Sequence, residues 1–222
     1  MTMSKIQRLW HIIHYSILEI KKGNFKELKY IANLYFHHVD LKGTSQEELG
    51  LSRDRANWSS NSGGPSLERV LDSLEINCRD SIIDIGCGKG GALMTFAKYP
   101  FKKICGVELS PHLLRIARDN FVKLGLNDII LYEGDAGNYM NFDEFNYIYM
   151  YNPFPCNVME EVMANLSESL RKVPREMVIL YKNPICHEII VATSLFRQID
   201  MISIESDKGI ISIYKSNIEH SN

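Results

Sequence analysis

From Pro65 onward, short and largely apolar runs alternate with stretches of helical period, and this rhythm constrains the fold more than any other feature. Ile82–Ile85, Ile104–Glu108, Ile129–Tyr132, Tyr147–Tyr151 and Met177–Tyr181 read as strands. A helix starting at Pro65 carries Leu67, Val70, Leu71 and Leu74 on one stripe. Ala92–Ala97 reads as a helix. Ser110-Pro111 is a good helix start and Gly125 a good stop. A later helix carries Met159, Val162, Met163, Leu166 and Leu170. Strands that are apolar at successive positions need cover on both faces, which is the condition of a parallel sheet inside an α/β domain. Ile199–Ile204 and Ile210–Tyr214 flank Asp207-Lys208-Gly209 and read as a hairpin. The expectation is an α/β fold: a seven-stranded sheet, mostly parallel, with an antiparallel C-terminal strand.

The first 64 residues follow another pattern. Ile6, Leu9, Trp10, Ile13, Ile17 and Ile20 share one helical face, and Leu28, Ile31, Ala32, Tyr35 and Val39 repeat it after Gly23-Asn24. An irregular stretch runs from Lys42 to Gly64. We read residues 1–64 as an N-terminal helical cap and lid segment, and 65–222 as the core. Trp58 among small polar residues suits a mobile cover that orders on ligand binding. The apolar stripes suit intramolecular packing or a dimer face. Peripheral membrane contact through a basic helix bearing Trp10 is the lesser alternative.

Composition removes several classes. No apolar run approaches the ~18 residues that span a bilayer. The N-terminal apolar stretch is broken by His11, His14 and Glu19, which argues against a secretory leader and for a cytoplasmic protein. The net charge of -2 speaks against a nucleic-acid partner and for a small-molecule substrate. The five cysteines, at 78, 87, 105, 156 and 186, show no CxxC spacing and are expected as reduced thiols. The His11/His14 and His37/His38 pairs lack partners at ligand spacing, so no metal site is expected.

Chemistry is concentrated where the first strand meets its helix, at Asp84-Ile-Gly-Cys-Gly-Lys-Gly-Gly91. In an open parallel sheet, ligands bind beyond the carboxyl ends of the strands. Glycines there permit tight turns and let a ligand approach the bare backbone. Gly86, Gly88 and Gly91 also satisfy the dinucleotide pattern GxGxxG, and Glu108 at the next strand end suits ribose hydroxyls in either case. Three features tip the balance away from a dinucleotide. Asp84 stands where it can meet a cationic ammonium. Asp135 ends the third strand, where it can accept from an adenine amine. The sheet closes with an antiparallel hairpin.

With Asp84-x-Gly86-x-Gly88-x-Gly90, Gly106-Val-Glu108-Leu-Ser110, Gly134-Asp135-Ala136 and Asn152-Pro-Phe-Pro155 in this order, the chain resembles the class I S-adenosylmethionine-dependent methyltransferases from about Pro65 to Lys215. The resemblance implies a Rossmann-like sheet and S-adenosylmethionine as cofactor, with S-adenosylhomocysteine as product. It implies that the backbone of Gly86, Cys87, Gly88 and Gly90 lines the methionine moiety. Glu108, with Leu109 beside it, would bind the ribose. Asp135 and Ala136 would face the adenine edge. Asn61, Ser62 and Gly63 stand in the segment that reaches the cofactor carboxylate in many relatives.

Relatives that methylate nitrogen carry an Asp/Asn/Ser-Pro-Pro-aromatic tetrad after the fourth strand, where the polar side chain and a backbone carbonyl accept hydrogens from the target amine. Here the loop reads Asn152-Pro153-Phe154-Pro155, with ring and second proline exchanged. Asn152, Pro153 and Phe154 are the expected catalytic residues, Asn152 touching the cofactor as well. The exchange leaves the acceptor atom open between nitrogen and oxygen. Phe154, Tyr149 and Tyr151 are candidates for steadying a positive sulfur through cation–π attraction. His187, Asp135 and residues of the 53–64 loop are candidate general bases. The expected function is methyl transfer from S-adenosylmethionine to a small molecule, a sugar or an amino-bearing metabolite. The alternatives are a protein side-chain methyltransferase, a non-catalytic binding module, and a nicotinamide-dependent reductase.

Overall fold

A computed structural model describes residues 25–204 and 209–217. The expected helix at residues 6–20 and the turn at 205–208 lie outside the described residues. Two compact units divide between Asp40 and Leu41. The first contains helix α1 (Phe25–Phe36), on which Leu28 and Ile31 are half-buried while Phe25 and Phe36 are exposed. Residues 41–64, expected with the cap, belong to the unit that contains the sheet.

That larger unit alternates helices and strands. They are α2 (Pro65–Leu71), β1 (Ser81–Ile85), α3 (Gly91–Phe96), β2 (Lys103–Glu108), α4 (Pro111–Leu124), β3 (Ile129–Glu133), β4 (Tyr147–Tyr151), α5 (Cys156–Lys172), β5 (Val178–Lys182), α6 (His187–Ala192), β6 (Phe196–Ile204) and β7 (Gly209–Ser216). The seven strands form one sheet in the order β3-β2-β1-β4-β5-β7-β6. The pairs from β3 through β5 are parallel, and β7 runs antiparallel to both β5 and β6. The mostly parallel sheet with a reversed final strand agrees with the sequence expectation. β6 starts at Phe196, three residues earlier than its apolar pattern suggests, because a register shift between Gln198 and Asp200 breaks the alternation.

Burial explains why these segments are strands. All five residues of β1 and all five of β5 are buried. In register, Ile83 stands between Cys105 of β2 and Ile148 of β4. Helix α5 covers one side with Val158, Met159, Val162, Met163 and Leu166, all in the main core. Each such large side chain taken from water contributes roughly 1.5–3 kcal/mol. Helix α4 begins where the sequence marks it: the Ser110 side chain accepts from the Leu113 N–H at 3.3 Å, Pro111 occupies the first turn, and Gly125 ends the helix at φ 68°. Strand order reverses between β1 and β4, so the loops after them part at their carboxyl ends and leave a cleft.

The expectation of five free thiols does not hold. Cys156 and Cys186 form a disulfide, with Cα atoms 5.6 Å apart. Cys156 opens α5 after the loop that follows β4, and Cys186 precedes α6 after the loop that follows β5. Because β4 and β5 are sheet neighbours, their loops emerge side by side, a proximity that a separation of 30 residues conceals. Cys78, Cys87 and Cys105 are free.

Candidate active site

The cleft at the switch point is lined from four directions. The glycine loop contributes Gly86 and Cys87, the end of β2 contributes Glu108 and Leu109, the end of β3 contributes Asp135 and Ala136, and the loop after β4 contributes Pro153 and Phe154. Asn61 and Ser62 close it from the 41–64 segment. Asp84, Gly88, Gly90, Gly63 and Asn152, also expected at the site, are not among the lining residues. Asp84 is buried under the loop, and Gly63 packs so tightly on Gly91 that a Cβ on it would fall 1.9 Å from the Gly91 carbonyl oxygen.

The loop after β1 turns through left-handed backbone at Gly86, φ 79°, where the N–H groups of Gly86 and Cys87 donate to the Val107 carbonyl at 2.8 and 3.0 Å. A Cβ on Gly86 would lie 2.3 Å from the Cβ of Pro153. Glycine is required there by conformation and by the close approach of the loop after β4.

Glu108 is 7 % exposed, and both its oxygens are engaged. Oε2 accepts from the Gly88 N–H at 2.9 Å, and Oε1 from the Ser110 N–H at 2.9 Å. Burial pushes the Glu108 carboxyl up, and backbone hydrogen bonds from Ser110, Gly88 and Leu109 offset this in part. Asp84 is pushed well up by burial and then by the charge of Glu108. Burial also raises the Cys87 thiol, with the charges of Asp84 and Glu108 adding to it, so this cysteine is no thiolate nucleophile. Two neighbouring acids short of solvent favour a cation beside them.

Asp135 caps a short 3-10 turn, Ala136–Asn138, through the Gly137 N–H at 2.9 Å. Its other partner is Arg55, whose Nε donates to Oδ2 at 2.8 Å and whose Nη2 donates to Oδ1 at 2.6 Å. Burial raises the Asp135 carboxyl, but the hydrogen bonds from Arg55 and Gly137 and the Arg55 charge outweigh it, so the net shift is downward. Arg55 also reaches Glu161 on α5, Nη1 to Oε1 at 3.0 Å and Nη2 to Oε2 at 2.8 Å.

The loop after β4 is held by Asn57. Its N–H donates to the Pro153 carbonyl at 2.9 Å, and its Nδ2 donates to the Asn152 carbonyl at 3.1 Å. Asn152 has φ 39°, a conformation that asparagine tolerates better than most residues. Of the rings considered for the sulfur, Phe154 and Tyr151 line the cleft. Tyr149 does not: it is fully buried under α3, edge-on to Phe96 at 5.4 Å. Lys182 Nζ sits 4.4 Å from the Tyr151 ring centre. His187 is not among the lining residues; its Nδ1 is 2.8 Å from the Tyr214 hydroxyl.

Sequence reasoning missed Arg55, Asn57 and Glu161 as individuals. Arg55 and Asn57 sit in an irregular stretch with no period, and Glu161 lies on the polar side of α5.

Residues 82–173 match the family model described as a methyltransferase domain. That stretch, from β1 through α5 and less than half of the chain, resembles the class I S-adenosylmethionine-dependent methyltransferases. Over 100 residues the chain is 35% identical to a probable ribosomal RNA small subunit methyltransferase A of Methanosarcina barkeri, covering 45% of this chain and 33% of that protein. It is 27% identical over 148 residues to a 24-methylenesterol C-methyltransferase 2 of Arabidopsis thaliana, covering 64% of this chain and 38% of that protein. Its fold is shared by an RNA methyltransferase from Salinibacter ruber solved in complex with S-adenosyl-L-homocysteine, with TM-score 0.51 and 14% identity over 71% of this chain and 95% of that one. The chain spans between 28% and 42% of the length of these and other curated relatives it matches.

Proposed function

We propose that this methyltransferase moves a methyl group from S-adenosylmethionine to nitrogen or oxygen of a small molecule, a sugar or an amino-bearing metabolite. The observation that carries the reading is the convergence of Gly86, Glu108 and Asp135 on one cleft beside the Asn152–Pro155 loop.

The residues fit the cofactor in kind. Each Glu108 oxygen accepts one backbone N–H, and a carboxylate oxygen has room for a second donor, so two adjacent ribose hydroxyls can be held at once. Asp135 offers an acceptor to an adenine amine. The backbone at Gly86 presents no side chain to a ligand. The raised Asp84–Glu108 pair favours positive charge nearby. When bound, the cofactor supplies a methyl group already activated on a positive sulfur. What remains for the chain is alignment, which contributes up to ~7–11 kcal/mol in favourable intramolecular reactions. Phe154 supplies a ring face, worth roughly 0.5–2 kcal/mol toward a cation. The Asn152 side chain accepts a hydrogen from an amine, keeping its lone pair directed at the methyl carbon, while the Asn152 and Pro153 carbonyls are each held by Asn57. The net charge of -2 supports a small acceptor.

A ribosomal RNA acceptor is the second reading, favoured by the 35% identity to the probable ribosomal RNA methyltransferase. The test is transfer of label from methyl-labelled S-adenosylmethionine to aminosugars, amines, hydroxylated metabolites, proteins and ribosomal RNA. Label in a small molecule supports the first reading, and label confined to RNA replaces it with the second. Label in protein makes the chain a side-chain methyltransferase. Calorimetric binding of S-adenosylhomocysteine without any labelled product leaves a binding module. Binding of NADH in its place leaves a reductase.

A further inference from the structure

We propose that Arg55 sets cofactor affinity by competing with the adenine amine for Asp135, and that it retires onto Glu161 alone when the cofactor enters; the proposal rests on the cofactor reading above. A carboxylate offers about four acceptor positions. On Asp135, one is taken by the Gly137 N–H and two by the Arg55 fork. The one position left is on Oδ2, which already accepts from Arg55 Nε, so an exocyclic amine approaching this acid meets a planar guanidinium beside it.

Arg55 is held so that it can let go. Two of its contacts run to Asp135 and two to Glu161, whose side chain is 44% exposed. Leaving Asp135 keeps the guanidinium paired with Glu161, while the Asp135 carboxylate retains the Gly137 N–H and takes the neutral amine in place of the cation. The segment that carries Arg55 is tied by separable bonds: the Thr44–Ser59 backbone pair at 2.9 and 3.0 Å, and the two Asn57 donations to the loop after β4.

Volume points the same way. The cleft has a free volume of about 60 Å³, against the roughly 300 Å³ or more that small-molecule pockets offer. A nucleoside joined to an amino acid cannot enter unless lining groups move, and Arg55 is the one whose present partner is the acid the ligand needs. When the competent state is only partly populated, apparent affinity falls by that fraction. Arg55 thus lowers affinity for the cofactor and its product together, and speeds product release.

The test is calorimetric titration of S-adenosylhomocysteine into the wild type, Arg55→Ala, Glu161→Gln and the double variant. We expect Arg55→Ala to bind about three- to tenfold tighter, the weight of a partly exposed forked ion pair. Glu161→Gln should bind more weakly, since it removes the refuge but leaves the competitor. The double variant should match Arg55→Ala, since Glu161 acts only through Arg55. Equal or weaker binding by Arg55→Ala, with an unchanged circular dichroism spectrum, overturns the proposal. Failure of both the wild type and Arg55→Ala to bind overturns the cofactor reading itself, and the proposal with it.

Discussion

The Gly88 N–H donates to Oε2 of Glu108 at 2.9 Å, so the acid that ends β2 also pins the turn that follows β1. One side chain thereby holds the loop shape and, in the proposed function, the ribose. Replacing it with Gln turns one of two acceptor oxygens into a donor facing a backbone N–H. Glu108→Gln should weaken S-adenosylhomocysteine binding by about 1–3 kcal/mol and lower the melting temperature. Calorimetry and thermal melting check the pair. A lower melting temperature with unchanged affinity would leave Glu108 a purely structural role.

The Asp84 and Glu108 carboxyls are both raised, chiefly by burial. A raised acid keeps its proton in the folded state above its ordinary pKa, so its contribution to stability is present at low pH and lost as pH rises through the folded value. The same ionisation builds the negative field that a sulfonium prefers over a neutral thioether. The ratio of S-adenosylmethionine to S-adenosylhomocysteine affinity should therefore rise from a pH below the folded values of the two acids to a pH above them. Paired titrations on either side check this, and a flat ratio would place the acids out of the sulfur's reach.

At φ 39°, Asn152 separates two roles. Glycine adopts this backbone freely, whereas alanine bears roughly 1–2 kcal/mol of strain. If the side chain holds the acceptor, Asn152→Gly and Asn152→Ala should both lose turnover while cofactor affinity stays within about twofold, and only the alanine variant should melt earlier. Steady-state kinetics on whichever acceptor takes the label decide it. Full activity in the glycine variant would assign the loop's importance to its backbone.

Reducing the Cys156–Cys186 bridge, or replacing either residue with Ser, should cost about 3–4 kcal/mol of stability, the loop-closure value for a crosslink of this span. Denaturant melts with and without a reductant check it. The loss should also appear as faster proteolysis of the loops after β4 and β5, which the bridge joins. Identical melts would mean that packing alone holds them.

The sheet was legible because its signals are local. Ile82–Ile85 and Val178–Lys182 are apolar at nearly every position because both faces are covered. Ser110, Pro111 and Gly125 mark α4 at both ends. The acids at 108 and 135 were legible because they stand at strand ends next to glycines. What stayed hidden depends on pairs distant in sequence. Arg55 meets Asp135 across 80 positions, Asn57 meets Asn152 across 95, and no local period announces either. The disulfide follows from β4 lying beside β5, which only the assembled sheet reveals. Tyr149 shares a strand face with Tyr151, yet one lies under α3 and the other at the strand's open end, a difference that depends on where the helix stops.

Because Gly86 and Pro153 stand too close for a methyl group between them, the glycine loop and the loop after β4 share a wall of the cleft. Anything that stiffens one side stiffens its neighbour. Occupancy by the first ligand thus lowers the ordering entropy left for the second, and by linkage the help is mutual. A donor and an acceptor seated on the two sides of this wall should therefore tighten each other's binding by the same factor, whichever arrives first.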